Sequence, residues 1–137
     1  MTETYNKPVP QITKINRPYW EAAKQHKFML QRCKMCGSYR YNPGESCPSC
    51  LSEELEWVEV SGQGTIYSWT VFHHVYHPAF KDEVPYVVVS VELEEGPMIN
   101  SRLVDYKIED IKIGLPVMVT FQDVTDEITL PMFRVTA

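Results

Sequence analysis

The spacing of hydrophobic and polar positions changes period as the chain proceeds. Residues 1–13 have no period and carry Pro8 and Pro10, which predicts an extended surface run. At Asn16 the pattern turns helical. Asn16 is placed as the N-cap, and Pro18 falls in the first turn, where a missing N–H costs little. Tyr19, Ala23 and His26 then share one face, and Trp20 and Lys24 the next. Three short strands are expected after it, at 28–32, 39–41 and 55–60, with Asn42-Pro43-Gly44 as a turn between the first two and the third.

Beyond the Gly-rich joint Ser61-Gly62-Gln63-Gly64 the period is that of strands alone. The joint opens a strand and lacks the full dinucleotide fingerprint, so phosphate cradling is not expected there. Thr65–Phe72 and Tyr86–Leu93 are rich in β-branched and aromatic residues, and Met98–Val104 follows the turn Glu94-Glu95-Gly96-Pro97. A connector over 105–113 holds at most one helical turn, and strands at 117–121 and 130–135 complete the set. Five strands with a connector between the third and fourth give the order of an OB-fold, and closure into a barrel protects the sheet edges. The expected fold is therefore mainly β: an extended arm and helix over 1–27, a ribbon over 28–60 and a five-stranded barrel over 61–137.

Four cysteines change the picture of the ribbon. Cys33, Cys36, Cys47 and Cys50 form two Cys-x-x-Cys knuckles separated by ten residues. Paired knuckles place four thiolates in a tetrahedron, the geometry of a closed structural zinc site. Iron in a rubredoxin-like centre uses the same ligands, and Cys36-Gly37-Ser38-Tyr39 resembles that knuckle. With four thiolates bound, neither metal keeps an open position for Lewis-acid chemistry.

Charge divides the chain. Residues 1–40 carry eight Lys/Arg against two Glu, and residues 41–137 five against sixteen Asp/Glu. The basic arm either meets an anionic ligand or solvates a mobile segment. The acidic remainder argues against nucleic acid as the main partner, because phosphate neutralisation dominates such affinity. Tyr67, Trp69 and Phe72 offer a stacking platform in principle, but core packing is the expected role for most of these rings. No apolar run approaches the roughly 18 to 20 residues of a membrane span, and Met1–Tyr5 supply no apolar core for a signal peptide, so a cytoplasmic location is expected.

Catalytic chemistry is scarce. His73, His74 and His77 crowd the connection between the first two barrel strands, a place where functional loops often sit. No acid or nucleophile accompanies them in sequence, and no Gly-x-Ser-x-Gly occurs. Glu92, Glu94 and Glu95 are better explained by a strand end and its exposed turn than by an acid/base pair.

The ordered set of Tyr19-Trp20, the two knuckles, Gly64-Thr65-Ile66-Tyr67-Ser68-Trp69-Thr70, His77-Pro78-Ala79-Phe80, Pro85-Tyr86-Val87-Val88, Glu92–Pro97 and Ile113-Gly114-Leu115-Pro116-Val117 resembles the acyl-CoA-associated family of unknown-function proteins, DUF thirty-five. The likeness runs from about Arg17 to Phe133. It implies a rubredoxin-like zinc ribbon joined to an OB-fold, in a non-catalytic accessory subunit that forms hetero-oligomers with thiolase-fold acyl-CoA enzymes. The implied ligands are structural zinc and, shared with the partner, a coenzyme A thioester. Arg17, Lys24, Lys27, Arg32 and Lys34 are then candidates for the coenzyme A phosphates. His73, His74, Tyr76, His77 and Phe80 are candidates for partner contact. A free-standing acyl-CoA-binding module and an OB-fold nucleic-acid binder are the alternatives.

Overall fold

The computed structural model describes residues 9–75 and 77–136. One helix, α1 (Arg17–Lys24), precedes a three-stranded antiparallel sheet of β1 (Met29–Cys33), β2 (Tyr39–Arg40) and β3 (Leu55–Glu59), in the order β2-β1-β3. Five more strands follow: β4 (Gln63–Phe72), β5 (Tyr86–Leu93), β6 (Met98–Val104), β7 (Pro116–Asp123) and β8 (Thr129–Val135). They close into a barrel in the order β4-β5-β6-β8-β7. The β6–β8 pair is parallel, Leu103 opposite Phe133, and the other pairs are antiparallel. This is the OB-fold anticipated from the strand order. The connector between β6 and β7 holds one short 3-10 turn, Ile108–Asp110.

Alternation builds the core. Val87, Val89, Val91 and Leu93 of β5 point inward and are almost fully buried, each burial contributing about 1.5–3 kcal/mol. They pack with Ile66, Ile99, Leu103, Val117 and Phe133. The same cluster continues into the ribbon through Tyr19, Phe28, Leu30 and Val60. The Phe28 and Phe133 rings meet edge to face with centroids 6.2 Å apart, so ribbon and barrel share one core. A helix of eight residues is too short to persist alone, and α1 is held by burial of Tyr19, Ala22 and Ala23. Burial first, and the adjacent Tyr41 second, raise the Tyr19 phenol well above its ordinary pKa and keep it neutral.

Two expectations need correction; Asn16 holds the N-cap position expected of it, but without a side-chain bond to the N–H groups of α1. Its Oδ1 accepts from the Thr13 amide at 2.6 Å, while the Asn16 amide donates to Thr13 Oγ1 at 3.2 Å. The reciprocal cap lies one turn upstream, around the turn that introduces the helix. His26, at φ +61°, has left the helix and does not share its buried face. Tyr67 and Trp69 are not core residues. They are 58% and 38% exposed: Tyr67 is the extra residue of a bulge between Ile66 and Ser68, and Trp69 lies beyond Thr65, where the pairing of β4 with β7 has ended.

Candidate metal centre

The two knuckles are built alike. In the first, the Cys33 amide donates to Ser38 O and the Gly37 amide to Cys33 O, both at 2.9 Å. In the second, the Cys47 amide donates to Ser52 O and the Leu51 amide to Cys47 O, both at 2.8 Å. Each turn closes through a residue of positive φ, Gly37 at +77° and Leu51 at +65°. The Lys34 amide donates to Glu54 O at 2.8 Å and ties one knuckle to the strand leaving the other.

This doubling brings all four sulfurs within 4.8 Å of one another. Cys33 and Cys50 stand 3.5 Å apart, and Cys36 and Cys47 3.6 Å. None is in a disulfide. Zinc–sulfur bonds of about 2.3 Å place tetrahedral sulfurs about 3.8 Å apart, so the four side chains fit a four-thiolate metal site. Cys33 and Cys47 are buried while Cys36 and Cys50 face out.

Protons are held unevenly across the cluster. The Ser38 hydroxyl first, then the Cys50 amide, lower Cys47 to about 6. Cys36 is lowered too, again by the Ser38 hydroxyl first. For Cys50 the Ser52 amide pulls downward, but the Cys33 thiol and burial together push it up to about 12.

A buried polar joint supports the centre. Gln31 Oε1 accepts from Arg40 Nε at 2.9 Å and from the Gly44 amide at 3.0 Å, and its Nε2 donates to Gly44 O. Every polar atom of that buried amide head thus has a partner, which fixes the hairpin between the knuckles.

Two of the predicted basic residues share a cleft. Arg17 and Lys24 line a cleft of about 610 Å³ with Gln11, Glu21, Thr125 and Glu127. Lys27 and Lys34 are exposed outside that lining. Arg32 is engaged within the ribbon, 3.6 Å from Glu56 Oε2 and over the Tyr39 ring at 5.5 Å.

The histidine loop likewise divides. His77 Nδ1 accepts from the Ala79 amide at 3.1 Å and caps the short turn Pro78–Phe80. Phe80 packs on Tyr86, centroids 6.0 Å apart, and Arg102 lies 4.9 Å over the same Tyr86 ring while pairing with Glu83. His73 and His74 are exposed. Tyr76 lies outside the described residues.

Glu94 and Glu95 serve the joint between the modules: Glu94 Oε2 accepts from Ser61 Oγ and Glu95 Oε2 from the Ser61 amide. Two features had no sequence signal beforehand. One is the Ser38 hydroxyl, 3.1 Å from Cys36 Sγ; the other is the contact of His26 with Asp123, 97 positions away. No helix among the described residues is long and apolar enough to cross a membrane.

Comparison with known proteins follows this division. Residues 20–56 match the family model of the ChsH2 rubredoxin-like zinc ribbon domain, and residues 57–122 that of the ChsH2 C-terminal OB-fold domain. Over 128 residues the chain is 44% identical to a probable enoyl-CoA hydratase alpha subunit of Thermomonospora curvata. That match covers 93% of this chain and 40% of the relative, so the chain spans less than half of the relative's length. A DUF35 domain-containing scaffold protein of Methanocaldococcus jannaschii is 36% identical, covering 79% of this chain and 77% of the relative. A benzoylsuccinyl-CoA thiolase subunit BbsA of Geobacter metallireducens is 35% identical over 53% of this chain and 47% of its own. Among solved structures, an Ltp2-ChsH2(DUF35) aldolase chain superposes with a TM-score of 0.83 at 43% identity, covering 93% of this chain and 98% of that one. With both modules matched in order and this likeness along nearly its whole length, the chain belongs to the DUF35 family of proteins that join a zinc ribbon to an OB-fold.

Proposed function

We propose that the chain is the non-catalytic, zinc-containing accessory subunit of a thiolase-fold acyl-CoA enzyme that makes or breaks carbon–carbon bonds. The observation that carries this is the gathering of every cysteine of the chain into one four-sulfur cluster. A thiolate bound to a closed zinc site is not a free nucleophile, so none of these four cysteines is an acyl-transfer thiol. The relatives support the rest. They are subunits of a hydratase and a thiolase, a scaffold protein, and an aldolase assembly.

In this reading Cys33, Cys36, Cys47 and Cys50 hold zinc, which supplies fold and no step of the reaction. The arm and helix (1–27), ribbon (28–60) and barrel (61–137) act as one unit in a cytoplasmic hetero-oligomer. Arg17 and Lys24, beside their cleft, together with Lys27 and Lys34, supply cationic groups for the phosphates of a coenzyme A thioester shared with the partner, and Arg32 joins them only by exchanging its pairing with Glu56. Partner contact runs through the loop of His73, His74, Tyr76, His77 and Phe80.

The test is to express a candidate thiolase-fold partner with and without this chain, and to follow carbon–carbon bond formation or cleavage on acyl-CoA substrates. Activity is expected only for the pair. Full activity of the partner alone, or turnover by this chain alone, overturns the reading.

A further inference from the structure

We propose that the Ser38 hydroxyl is a working part of the metal centre: it donates a hydrogen bond to the Cys36 thiolate, with Cys47 as second neighbour, and thereby positions the outward-facing ligand and strengthens metal binding. The proposal rests on the reading of the four cysteines as metal ligands and adds a fifth side chain to that site.

The internal doubling of the ribbon makes the case. Ser38 and Ser52 hold equivalent places, each two residues after the second cysteine of its knuckle, and each carbonyl accepts from the first cysteine's amide. Their hydroxyls then part company. Ser52 Oγ turns away from the sulfurs and accepts from the Glu54 amide at 3.0 Å. Ser38 Oγ turns inward, 3.1 Å from Cys36 Sγ and 3.5 Å from Cys47 Sγ. Repeated backbone with divergent hydroxyls separates the local turn chemistry, which both serines share, from a contact to sulfur that only Ser38 makes.

Chemistry fixes the direction of that contact. A metal-bound thiolate has no proton and only accepts, so the hydroxyl is the donor. Four thiolates on a divalent ion leave the site anionic, and a donated hydrogen bond spreads that charge. Backbone donors serve the sulfurs of both Cys33 and Cys36, the Cys36 amide toward Cys33 at 3.5 Å and the Ser38 amide toward Cys36, so the Ser38 hydroxyl is an added donor. Cys36 is exposed, so water and competing chelators reach its sulfur more readily than the buried sulfurs of Cys33 and Cys47. The Ser38 hydroxyl thus lies closest to an exposed ligand. Donors around metal ligands typically change metal affinity by about 10- to 100-fold when removed.

The experiment uses the full chain loaded with zinc for affinity and with cobalt(II) for spectroscopy. Chelator competition should show Ser38→Ala binding zinc about tenfold more weakly than the parent, with Ser38→Thr restoring it. The thiolate-to-cobalt charge-transfer band should shift in Ser38→Ala and return in Ser38→Thr. Ser52→Ala should move neither. The Ala variant keeps the Ser38 carbonyl that accepts the Cys33 amide, so the knuckle backbone is preserved. Unchanged affinity and an unchanged band in Ser38→Ala overturn the proposal, as does an equal loss in Ser52→Ala. If the parent chain itself loads neither metal, the ligand reading fails, and the proposal with it.

Discussion

The imidazole of His26 lies flat on the ring of Phe121, with centroids 5.2 Å apart and 18° between the planes. Its Nε2 reaches Asp123 Oδ1 at 3.1 Å, and Asp123 also accepts the Thr129 hydroxyl. The residue that ends the helical segment is thereby clamped to β7 of the barrel. The Thr129 hydroxyl first, and His26 second, hold the Asp123 carboxyl below its ordinary value of 3.8. A carboxylate whose pKa is lower folded than unfolded contributes stability above about pH 3.8, and loses it as pH falls through the folded value. Asp123→Asn should therefore melt at a lower temperature than the parent at pH 6, and the gap should close as pH drops below 4. A gap that stays constant across that range removes the linkage. Phe121→Ala, followed by the same melts at pH 7, should cost about 0.5–1.5 kcal/mol beyond the lost area, from the stacked pair.

Removal of the metal has a larger effect. Structural zinc sites contribute apparent free energies on the order of 10–16 kcal/mol, and a ribbon with three strands of two to five residues has little else to hold it. Excess chelator should abolish the ribbon's amide protection in hydrogen exchange. Because Phe28 and Leu30 belong to the common core, exposure of apolar surface and a drop in solubility should accompany it. Cys47→Ser should reproduce both effects. Elemental analysis should find one zinc per chain; a red iron-containing protein decides for the rubredoxin-like alternative.

The two knuckles differ in one strained position. Leu51 is 78% exposed and sits at φ +65°, where the equivalent residue of the first knuckle is Gly37. A left-handed non-glycine residue costs about 1–2 kcal/mol, and the added freedom of unfolded glycine returns part of it. Leu51→Gly should therefore raise stability, by up to about 1 kcal/mol, in thermal melts of the metal-loaded protein. Gly62→Ala should do the reverse. Its φ is +76°, and an added Cβ would lie 2.3 Å from Val119 Cγ1, so a loss of at least about 1–3 kcal/mol is expected.

The elements were legible wherever one physical signal governed them. Val87, Val89, Val91 and Leu93 alternate and are buried because both faces of β5 have different surroundings along its whole length. Cysteine spacing specified the sulfur cluster because the knuckle is a local turn. What escaped depended on partners distant in sequence. Where β4 parts from β7, after Thr65, is set by a strand distant in sequence, so the exposure of Tyr67 and Trp69 cannot be read from β4 alone. The pairing of Arg32 with Glu56 depends on the β1–β3 register, which sets the two opposite each other from 24 positions apart. Ser38 carries no sequence signal because a serine after a knuckle is ordinary; only the inward turn of its hydroxyl distinguishes it from Ser52.

Exposure of Tyr67 and Trp69 restores a possible stacking surface, but the charge around it is unchanged. Residues 61–137 carry five Lys/Arg against eleven Asp/Glu. Stacking, at about 1–3 kcal/mol per base, then acts without counterion release. Negligible binding of single-stranded DNA is expected at physiological salt by fluorescence anisotropy. Micromolar affinity that weakens steeply as salt rises contradicts the acidic-barrel argument.

The histidine loop offers a sharper separation of shape from contact. His77 caps the Pro78–Phe80 turn and Phe80 packs on Tyr86, so both set the loop's form. His73 and His74 lie exposed on its ascending limb, next to the end of β4. If this loop meets the partner, His73→Ala should weaken association or the partner's activity several-fold while zinc content and melting temperature stay at parental values. Phe80→Ala should lower association and also loosen the loop, seen as faster amide exchange around Lys81 and Glu83, whose amides bond back to Pro78 and Phe80. Titration of the purified partner with each variant, followed by light scattering and acyl-CoA turnover, measures both effects. Parental association by both variants would move the interface away from this loop. Loss with Phe80→Ala alone would mean that the loop's shape matters while the His73 side chain makes no contact that counts.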